Sequence, residues 1–555
     1  MTSWRPWSGT ARASSRSRDA DGVALMYLFV SGPPGIGKTT VGALLAELLG
    51  AASLDLDAAI ARRERTTAEG LIARLGMEAF RDLESAALAR LDPTPAWTVV
   101  ATGGGTALRA PNRARMRQLG LLLGLAGSLG TVTRGLERTM AKRVHLTESP
   151  SAHARRILKE RRAAYADTDA TFVVDGATAG EVARAIAAWL ASSRGVRVDV
   201  AGERPYAVHL RAGLLDDAGP LLAGLGWMGK VAVVSDATVA RLHGRTLAAS
   251  LARAGLAPTA IRVPTGERAK SLPALRRLWN DLVAAGVGRD GGIVALGGGA
   301  VGDLGGFAAA TYLRGIKVAQ APTTLLAMVD SSIGGKTGID LPAGKNLAGA
   351  FHPPSVVLAD LAVLGTLPAR QVSNGLAEII KSAYLVDRPS VAQVARTVEK
   401  VRQGDLGGLL TTVALAVEIK ARVVSEDERE GGLRELLNFG HTFGHAYEAA
   451  MGYRVGHGEA VAIGLVFATA LATGLGLAPA SLRSEVEGLL ERAGLPVRAK
   501  VPAAAWGYLL RDKKVRAGKV RWVLPRRIGR FSEVTDVDER ALRAAAAVVS
   551  GRRAA

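Results

Sequence analysis

The 555-residue chain contains no cysteine. Disulfides and thiolate metal sites are thereby excluded, and any zinc must be held by His, Asp or Glu. Aromatic residues make up only 5% of the chain, so stacking platforms for nucleic-acid bases are poorly supplied. No apolar run approaches the roughly 20 uncharged residues that a membrane span needs. The stretch from Met1 to Gly22 is rich in Ser and Arg but lacks the apolar segment of a secretory signal. The protein therefore reads as cytoplasmic, with no membrane partner. Residues 1–23 read as a disordered extension or a start codon assigned too early, in preference to an organellar transit peptide.

What is present is basic and rich in glycine. Lys plus Arg number 71 against 50 Asp plus Glu, a formal net charge of +21. Such a balance attracts anions, either nucleic acid or small phosphorylated and carboxylated substrates. The basic residues are scattered through every segment and no recognition-helix signature appears, so small anions are expected and nucleic acid is not. Much of the excess is arginine in alanine-rich helices, whose ordinary role is a solvated face. Hydrophobic residues at 48% suit packed domains, and the length suggests three or four of them. Many of the 66 glycines fall in short clusters, as expected of turns where backbone approaches a ligand.

Residues 24–30 read as a buried parallel strand, followed by a glycine-rich turn and a helix over 39–49. Strands at 97–101 and 121–126 alternate with helical stretches, which indicates an α/β domain over 24–191. A polar linker at 192–196 leads to a strand over 196–200. Further strands at 231–234 and 292–296 suggest a Rossmann-like, nucleotide-binding α/β domain over 197–366. Helical patterning then dominates at 372–383, 408–425, 441–451 and 458–473, and predicts an all-α domain over 367–545, the part that carries the candidate metal-binding histidines.

The turn Gly32-Pro-Pro-Gly35-Ile-Gly37-Lys38-Thr39 fits the P-loop pattern and lies between a strand and a helix, as that pattern must. Glycines let successive backbone N–H groups curve around phosphate oxygens, and the helix N-terminus adds positive potential. Lys38 would reach the outer phosphates, the Thr39 hydroxyl would ligate Mg²⁺, and Thr40 completes the predicted ATP site. A chance glycine–lysine turn is the bland alternative, and the strand–helix context disfavours it.

Downstream come Asp55-Leu-Asp57, Phe80-Arg81-Asp-Leu-Glu84, Thr102-Gly103-Gly104-Gly105, Asn112-Arg113 and Glu160-Arg161…Tyr165. In this order, over about 27–190, they resemble the shikimate kinases. That resemblance implies that Asp57 binds and activates the shikimate hydroxyl while Asp55 supports Mg²⁺. Arg81 and Arg161 would clamp the carboxylate, and Gly103, Gly104 and Gly105 would close the pocket. A small anionic polyol suits bidentate arginine, and an acceptor hydroxyl needs a nearby carboxylate. Taken singly, each of these charges is more often a solvated surface residue.

In the larger remainder, Gly297-Gly298-Gly299-Ala-Val-Gly302-Asp303 follows a strand, a weak dinucleotide signal by itself. Its neighbours are Pro264-x-Gly266-Glu267-x-x-Lys270, Ala310-Thr-Tyr-Leu-Arg314-Gly, Pro322-Thr323-Thr324, Asp330-Ser-Ser-x-Gly-Gly335-Lys336 and Gly344-Lys345-Asn346. Lys336, Lys345 and Lys381, with Arg314 and Arg434, are unusually dense beside glycine turns and suggest a pocket for an acidic phosphorylated sugar. Asn438-Phe-Gly-His441-Thr-Phe-Gly-His445 puts two histidines on one helical face, and Gly456-His457-Gly458-Glu459 follows. With Glu378 and Lys381 on one face of an earlier helix, the cluster suits a catalytic zinc site. Spacing alone favours His441 and His445 as the metal pair.

From Glu267 through His457 these motifs resemble 3-dehydroquinate synthase, and the similarity runs over about 196–537. The resemblance makes Glu378, His441 and His457 the ligands of zinc or cobalt, with His445 on the substrate side. NAD would contact Asp236, Glu267, Lys270, Gly298, Gly299, Asp303, Thr323, Thr324, Lys336, Lys345 and Thr366. The substrate pocket would use Arg314, Lys336, Asn346, Lys381, Lys420, Arg434, Asn438 and one of Lys513 or Lys514, with Asp330 and His445 also catalytic. NAD⁺ would oxidise the C5 hydroxyl of 3-deoxy-D-arabino-heptulosonate 7-phosphate. Phosphate would then leave, the hydride return, and an aldol step close the carbocycle. A homodimer through this half is compatible with the family.

The expected whole is a bifunctional enzyme that uses ATP with magnesium on shikimate, and NAD with zinc on the phosphorylated heptulosonate. The competing readings are a sibling sugar-phosphate cyclase or an NAD-dependent polyol dehydrogenase, either with a weak or inactive kinase half. A polyol dehydrogenase would accumulate NADH, whereas a synthase would not. The kinase family's lid usually reads Arg-Pro-Leu-Leu, and the nearest match here is Arg143-Val-His-Leu146 in a shortened segment. Because lid closure excludes water, the kinase is expected to be slower or leakier than its family. Steady-state kinase and ATPase assays check this, and tight coupling at ordinary rates would defeat it.

Overall fold

The computed structural model describes residues 3–4, 26–140, 148–342, 344–430, 432–509, 515–516 and 519–551. The chain forms two compact units, residues 24–194 and residues 195–555 together with 1–23. The lid segment Arg143–Leu146 and both Lys513 and Lys514 lie outside the described residues.

The first unit is built on β1 (Tyr27–Ser31), β2 (Ala52–Asp55), β3 (Thr98–Ala101), β4 (Gly120–Ala126) and β5 (Ala170–Val173). They form one sheet in the order β2-β3-β1-β4-β5, every pair parallel. Central β1 reads Tyr-Leu-Phe-Val-Ser and is buried throughout, as a strand covered on both faces must be. Parallel pairing brings the C-terminal ends of β1, β2 and β3 to one edge. The turns beginning at Gly32 and Thr102, and the helix beginning at Leu56, therefore gather there. Helix α1 (Lys38–Leu49) follows β1, and α2 (Met77–Ala89) carries Arg81 and Glu84.

The expected linker is shorter than 192–196. The last helix of this unit, Ala179–Trp189, continues as a wider turn through Leu190–Arg194, so only Gly195 separates it from the next strand at Val196. Leu190 and Ala191 are both buried, which draws the chain into the helix beyond its polar Ser-Ser step.

The second unit contains β6 (Val196–Val200), β7 (Tyr206–Arg211), β8 (Lys230–Ser235), β9 (Ala257–Arg262), β10 (Gly292–Gly297), β11 (Lys317–Pro322), β12 (Lys336–Leu341), β13 (Gly344–Phe351) and β14 (Val356–Asp360). Seven of these make a sheet ordered β9-β8-β10-β11-β14-β7-β6, parallel except for the β6–β7 pair. The winding direction reverses between β8 and β10, where open α/β sheets place their ligand crevice. Strands β12 and β13 form a separate antiparallel hairpin.

Helices α3 (Gly299–Thr311), α4 (Ala369–Val386), α5 (Leu406–Glu426), α6 (His441–Ala450) and α7 (His457–Gly474) supply the rest of the frame. Helix α7 has a mean hydropathy of 1.3 and is 78% buried. It has the length and apolarity of a membrane span, contrary to the sequence reading, but here it is a core helix. The region from 367 onward is mainly helical, as expected, but it also holds a short strand pair, Val515–Arg516 with Lys519–Val520, and a longer one. Strands β15 (Trp522–Arg527) and β16 (Arg530–Val534) form an antiparallel hairpin, so it is not all-α. The hairpin exists because Trp522 and Phe531 can pack on Phe467 and Phe439 of the helical layer. Ser3–Trp4 pairs with β16, while the rest of the expected disordered extension lies outside the described residues.

Helices α6 and α7 approach so closely that a Cβ at Gly464 would overlap the Gly440 carbonyl. Gly464→Ala is therefore expected to destabilise the second unit by about 1–3 kcal/mol. Urea unfolding monitored by the loss of NAD⁺-dependent phosphate release checks this, and an unshifted midpoint would contradict the packing.

Candidate active sites

In the first unit, Gly35 and Gly37 hold φ values of 78° and 98°, which lets the loop curl before α1. Lys38 is buried, and its ammonium donates to the carbonyls of Gly32 and Pro33 at 3.0 Å each. Thr39 donates from Oγ1 to Asp55 Oδ2 at 2.7 Å, joining two residues predicted to share Mg²⁺. Asp55 also caps the next helix by accepting from the Ala58 amide at 2.9 Å.

A cavity of about 280 Å³ adjoins this edge, lined in part by Asp57, Arg81, Glu84, Gly104, Gly105 and Arg161. Gly103 packs against the carboxylates of Asp57 and Glu84, where a Cβ would collide with both. Arg161 and Tyr165 both donate to the Gly104 carbonyl, at 3.3 and 2.8 Å. The predicted clamp and glycine loop thus meet around one hollow. Burial pushes the Glu84 carboxyl up to about 7, opposed by a hydrogen bond from Thr106 and aided by the Asp57 charge.

In the second unit, Gly298 and Gly299 follow β10 at the start of α3, and the Thr323 amide donates to the Gly297 carbonyl at 2.9 Å. Asp236 follows β8 and accepts from the Thr238 and Val239 amides. Lys270 lies 2.9 Å from Asp303 and bonds to the Asn346 side chain. Thr366 contacts His243 at 3.1 Å. Most residues assigned to NAD therefore cluster on the strand ends and adjoining turns.

Glu378 and Lys381, one turn apart on α4, are both 2% exposed and form an ion pair. His441 Nε2 lies 3.2 Å and His457 Nε2 3.5 Å from the same oxygen, Glu378 Oε1. The donor atoms of His441, His445 and His457 also lie within 4.8 Å of one another. Geometry thus admits either three imidazoles or two imidazoles with a carboxylate. Burial opposes ionisation of Glu378, but Lys381 and His441 hold it well below the usual carboxylate range. Burial and the Lys381 charge push His441 down to about 4. His457 is raised to about 10, because hydrogen bonds to Glu378 and Glu448 outweigh its burial.

Around this centre, Lys420 donates to the Asp330 carbonyl at 2.8 Å and pairs with its carboxylate. Buried Arg434 donates to the carbonyls of Glu428 at 2.7 Å and Gly334 at 3.4 Å. Lys336 bonds to Glu430 at 2.5 Å. Asn438 ends the short helix Leu433–Asn438 just before α6.

One predicted residue stands apart from the others within this chain. Arg314 sits before the N-terminal end of β11, the opposite end from Thr323 and Thr324. It lines a separate cleft with Arg289 and Lys317. Arg314 is close to Gly299 in sequence but not in the fold, because α3 carries the chain back across the sheet before it. Conversely, the sequence reading missed Glu448, which accepts from His457 Nδ1 at 3.3 Å. Its spacing of seven from His441 and three from His445 was the available signal.

These features define a P-loop phosphotransferase unit followed by a nucleotide-cleft fold with a histidine–carboxylate centre. Family models match in the same order: shikimate kinase over 34–191, and 3-dehydroquinate synthase N-terminal and C-terminal over 260–374 and 375–515. The 3-dehydroquinate synthase of Symbiobacterium thermophilum is 46% identical over 347 residues, covering 62% of this chain and 97% of that protein. That of Caulobacter vibrioides is 48% identical over 354 residues, covering 62% and 95%. The solved structure of ValA, a 2-epi-5-epi-valiolone synthase from Streptomyces hygroscopicus with NAD⁺ and Zn²⁺ bound, is 33% identical at a TM-score of 0.57, covering 64% of this chain and 99% of that one. The chain belongs to the 3-dehydroquinate synthase family, with a shikimate kinase unit ahead of the synthase.

The raised Glu84 group has a pH consequence. Its stabilising contribution is fully present below its unfolded value of 4.5 and is lost as pH rises through about 7. The difference in stability between the wild type and Glu84→Gln is therefore expected to shift against the wild type across that window. Amide exchange of the Gly103–Thr106 turn measures it, and a pH-independent difference would refute the raised value.

Proposed function

We propose that the chain phosphorylates shikimate with ATP in its first unit and converts 3-deoxy-D-arabino-heptulosonate 7-phosphate to 3-dehydroquinate in its second. The convergence of His441 and His457 on buried Glu378, beside Lys381, carries the reading of the second unit. Two imidazoles and one carboxylate, with Glu378 and His441 buried and His457 partly open to solvent, suit zinc or cobalt.

In the kinase, the amides of the Gly32–Lys38 loop and the Lys38 ammonium hold the ATP phosphates, with Thr40 at the same helix end. Thr39 and Asp55 support Mg²⁺. Asp57 accepts the proton of the attacking shikimate hydroxyl, while Arg81 and Arg161 bind its carboxylate. Gly103 to Gly105 shape the pocket wall.

In the synthase, Asp236, Glu267, Lys270, Gly298, Gly299, Asp303, Thr323, Thr324 and Thr366 form the NAD cleft. Glu378, His441 and His457 hold the metal. When bound, the ion lowers the pKa of a substrate hydroxyl and NAD⁺ serves as a recycled hydride acceptor. Lys336, Lys381, Lys420 and Arg434 form a cationic cradle for the substrate's carboxylate and phosphate, with Asn346 beside it. Asp330 holds Lys420 in place, and Asn438 and His445 orient the substrate.

The site around Arg314 includes exposed Leu225 and Phe351. This apolar fringe supports a homodimer through the second unit, and the protein is proposed to work in the cytoplasm.

Glu378→Ala and His457→Ala are expected to abolish metal- and NAD⁺-dependent phosphate release. His445→Ala should keep the metal but lose about 10²–10⁴-fold in turnover. Asp57→Asn should cut shikimate phosphorylation by a similar factor and leave the synthase untouched. Parallel assays of both reactions check these outcomes, and undiminished phosphate release by Glu378→Ala would overturn the synthase reading.

A further inference from the structure

Beyond the three proposed ligands, an unbroken run of charged side chains leads from the metal centre back to the nucleotide cleft. Glu448 of α6 accepts from His457 Nδ1 at 3.3 Å through Oε2. Its other oxygen, Oε1, is 3.1 Å from the Lys345 ammonium on β13. Lys345 in turn lies 3.4 Å from Glu267 and 4.1 Å from the centre of the Tyr453 ring. Glu448 is buried, and the Lys345 side chain is 29% exposed.

Each link has a definite physical effect. A histidine that donates Nδ1–H to a carboxylate is fixed in ring orientation and tautomer, which leaves Nε2 as the ligating nitrogen. In His457 that nitrogen is the one facing Glu378. A buried carboxylate that does this must itself be compensated, since an unpaired charge at that depth is costly. Lys345 provides the compensation, and the flat Tyr453 ring steadies the ammonium. Lys345 was expected from the family resemblance to serve NAD. Its position shows that it also braces a helix of the metal centre from the β12–β13 hairpin.

We propose that Glu448 and Lys345 act as positioning residues for His457, and that the Lys345 bridge makes NAD⁺ and the metal ion bind with positive cooperativity. This rests on the proposed NAD cleft and metal ligands. Restraint of Glu267 by the nucleotide restrains Lys345, and through it Glu448 and His457. Ordering these side chains costs entropy once, so whichever ligand binds second finds the run already ordered. The coupling is reciprocal by linkage.

Isothermal titration of the full chain with Co²⁺, with and without saturating NAD⁺, tests the proposal. In the wild type, NAD⁺ is expected to tighten Co²⁺ binding by about 5–10-fold. Glu448→Ala should weaken Co²⁺ by about 10–100-fold. Glu448→Gln keeps an acceptor for His457 but not the ion pair, so it should recover much of that affinity without the NAD⁺ effect. Lys345→Met should bring the coupling factor to one, whatever it does to either affinity alone. Undiminished coupling in Lys345→Met, wild-type Co²⁺ affinity in Glu448→Ala, or wild-type binding of both ligands without any coupling would overturn the inference. A wild-type chain that binds no Co²⁺ or no NAD⁺ would overturn the site reading itself, and this inference with it.

Discussion

The second unit depends on one buried carboxylate. Glu378 is 2% exposed, and a charge at that depth survives only if neighbours supply what water would. Lys381 does so from the same helix, and His441 and His457 do so from two others. This requirement fixes the mutual placement of α4, α6 and α7. It also accounts for the glycines in the middle of α6 and α7, because only a close helix contact brings both histidines to one oxygen. The packing and the chemistry are thus the same constraint, and removing Glu378 would take from buried Lys381 and His441 the carboxylate that faces them both.

Both units also use one topological device. Parallel strands end together, so turns far apart in sequence meet at one sheet edge. In the first unit this joins the phosphate loop to Asp55, Asp57 and the Gly103–Gly105 turn. In the second it joins Asp236, Gly298 and Thr323. Cations then surround each edge, and the chain's net positive charge reflects substrates that carry phosphate and carboxylate. Two anion-binding enzymes of one pathway share a polypeptide without sharing a site design.

Much of this was legible in the residues. Helices α4 to α7 were found to within a few positions, since their apolar faces repeat at helical spacing. Strand β1 was legible because Tyr27 to Val30 form an unbroken apolar run. Strand β9 was not, because Ala-Pro-Thr-Ala-Ile-Arg has no two-residue alternation, and the half-exposed β13 failed for the same reason. The hairpin at 522–534 depends on tertiary contacts to Phe439 and Phe467 that no local pattern reports. At the sites, motif order gathered the correct turns but could not say that Arg314 leaves by the far end of its strand. Nor could it say which imidazoles converge. Spacing favoured His441 with His445, whereas Glu378 lies between His441 and His457, a relation set by helix packing alone.

X-ray absorption of the cobalt-loaded chain measures that relation most directly. Two imidazoles and a carboxylate are expected in the first coordination sphere, unchanged in His445→Ala and reduced by one imidazole in His457→Ala. A sphere of three imidazoles that loses one in His445→Ala would contradict a centre built on Glu378.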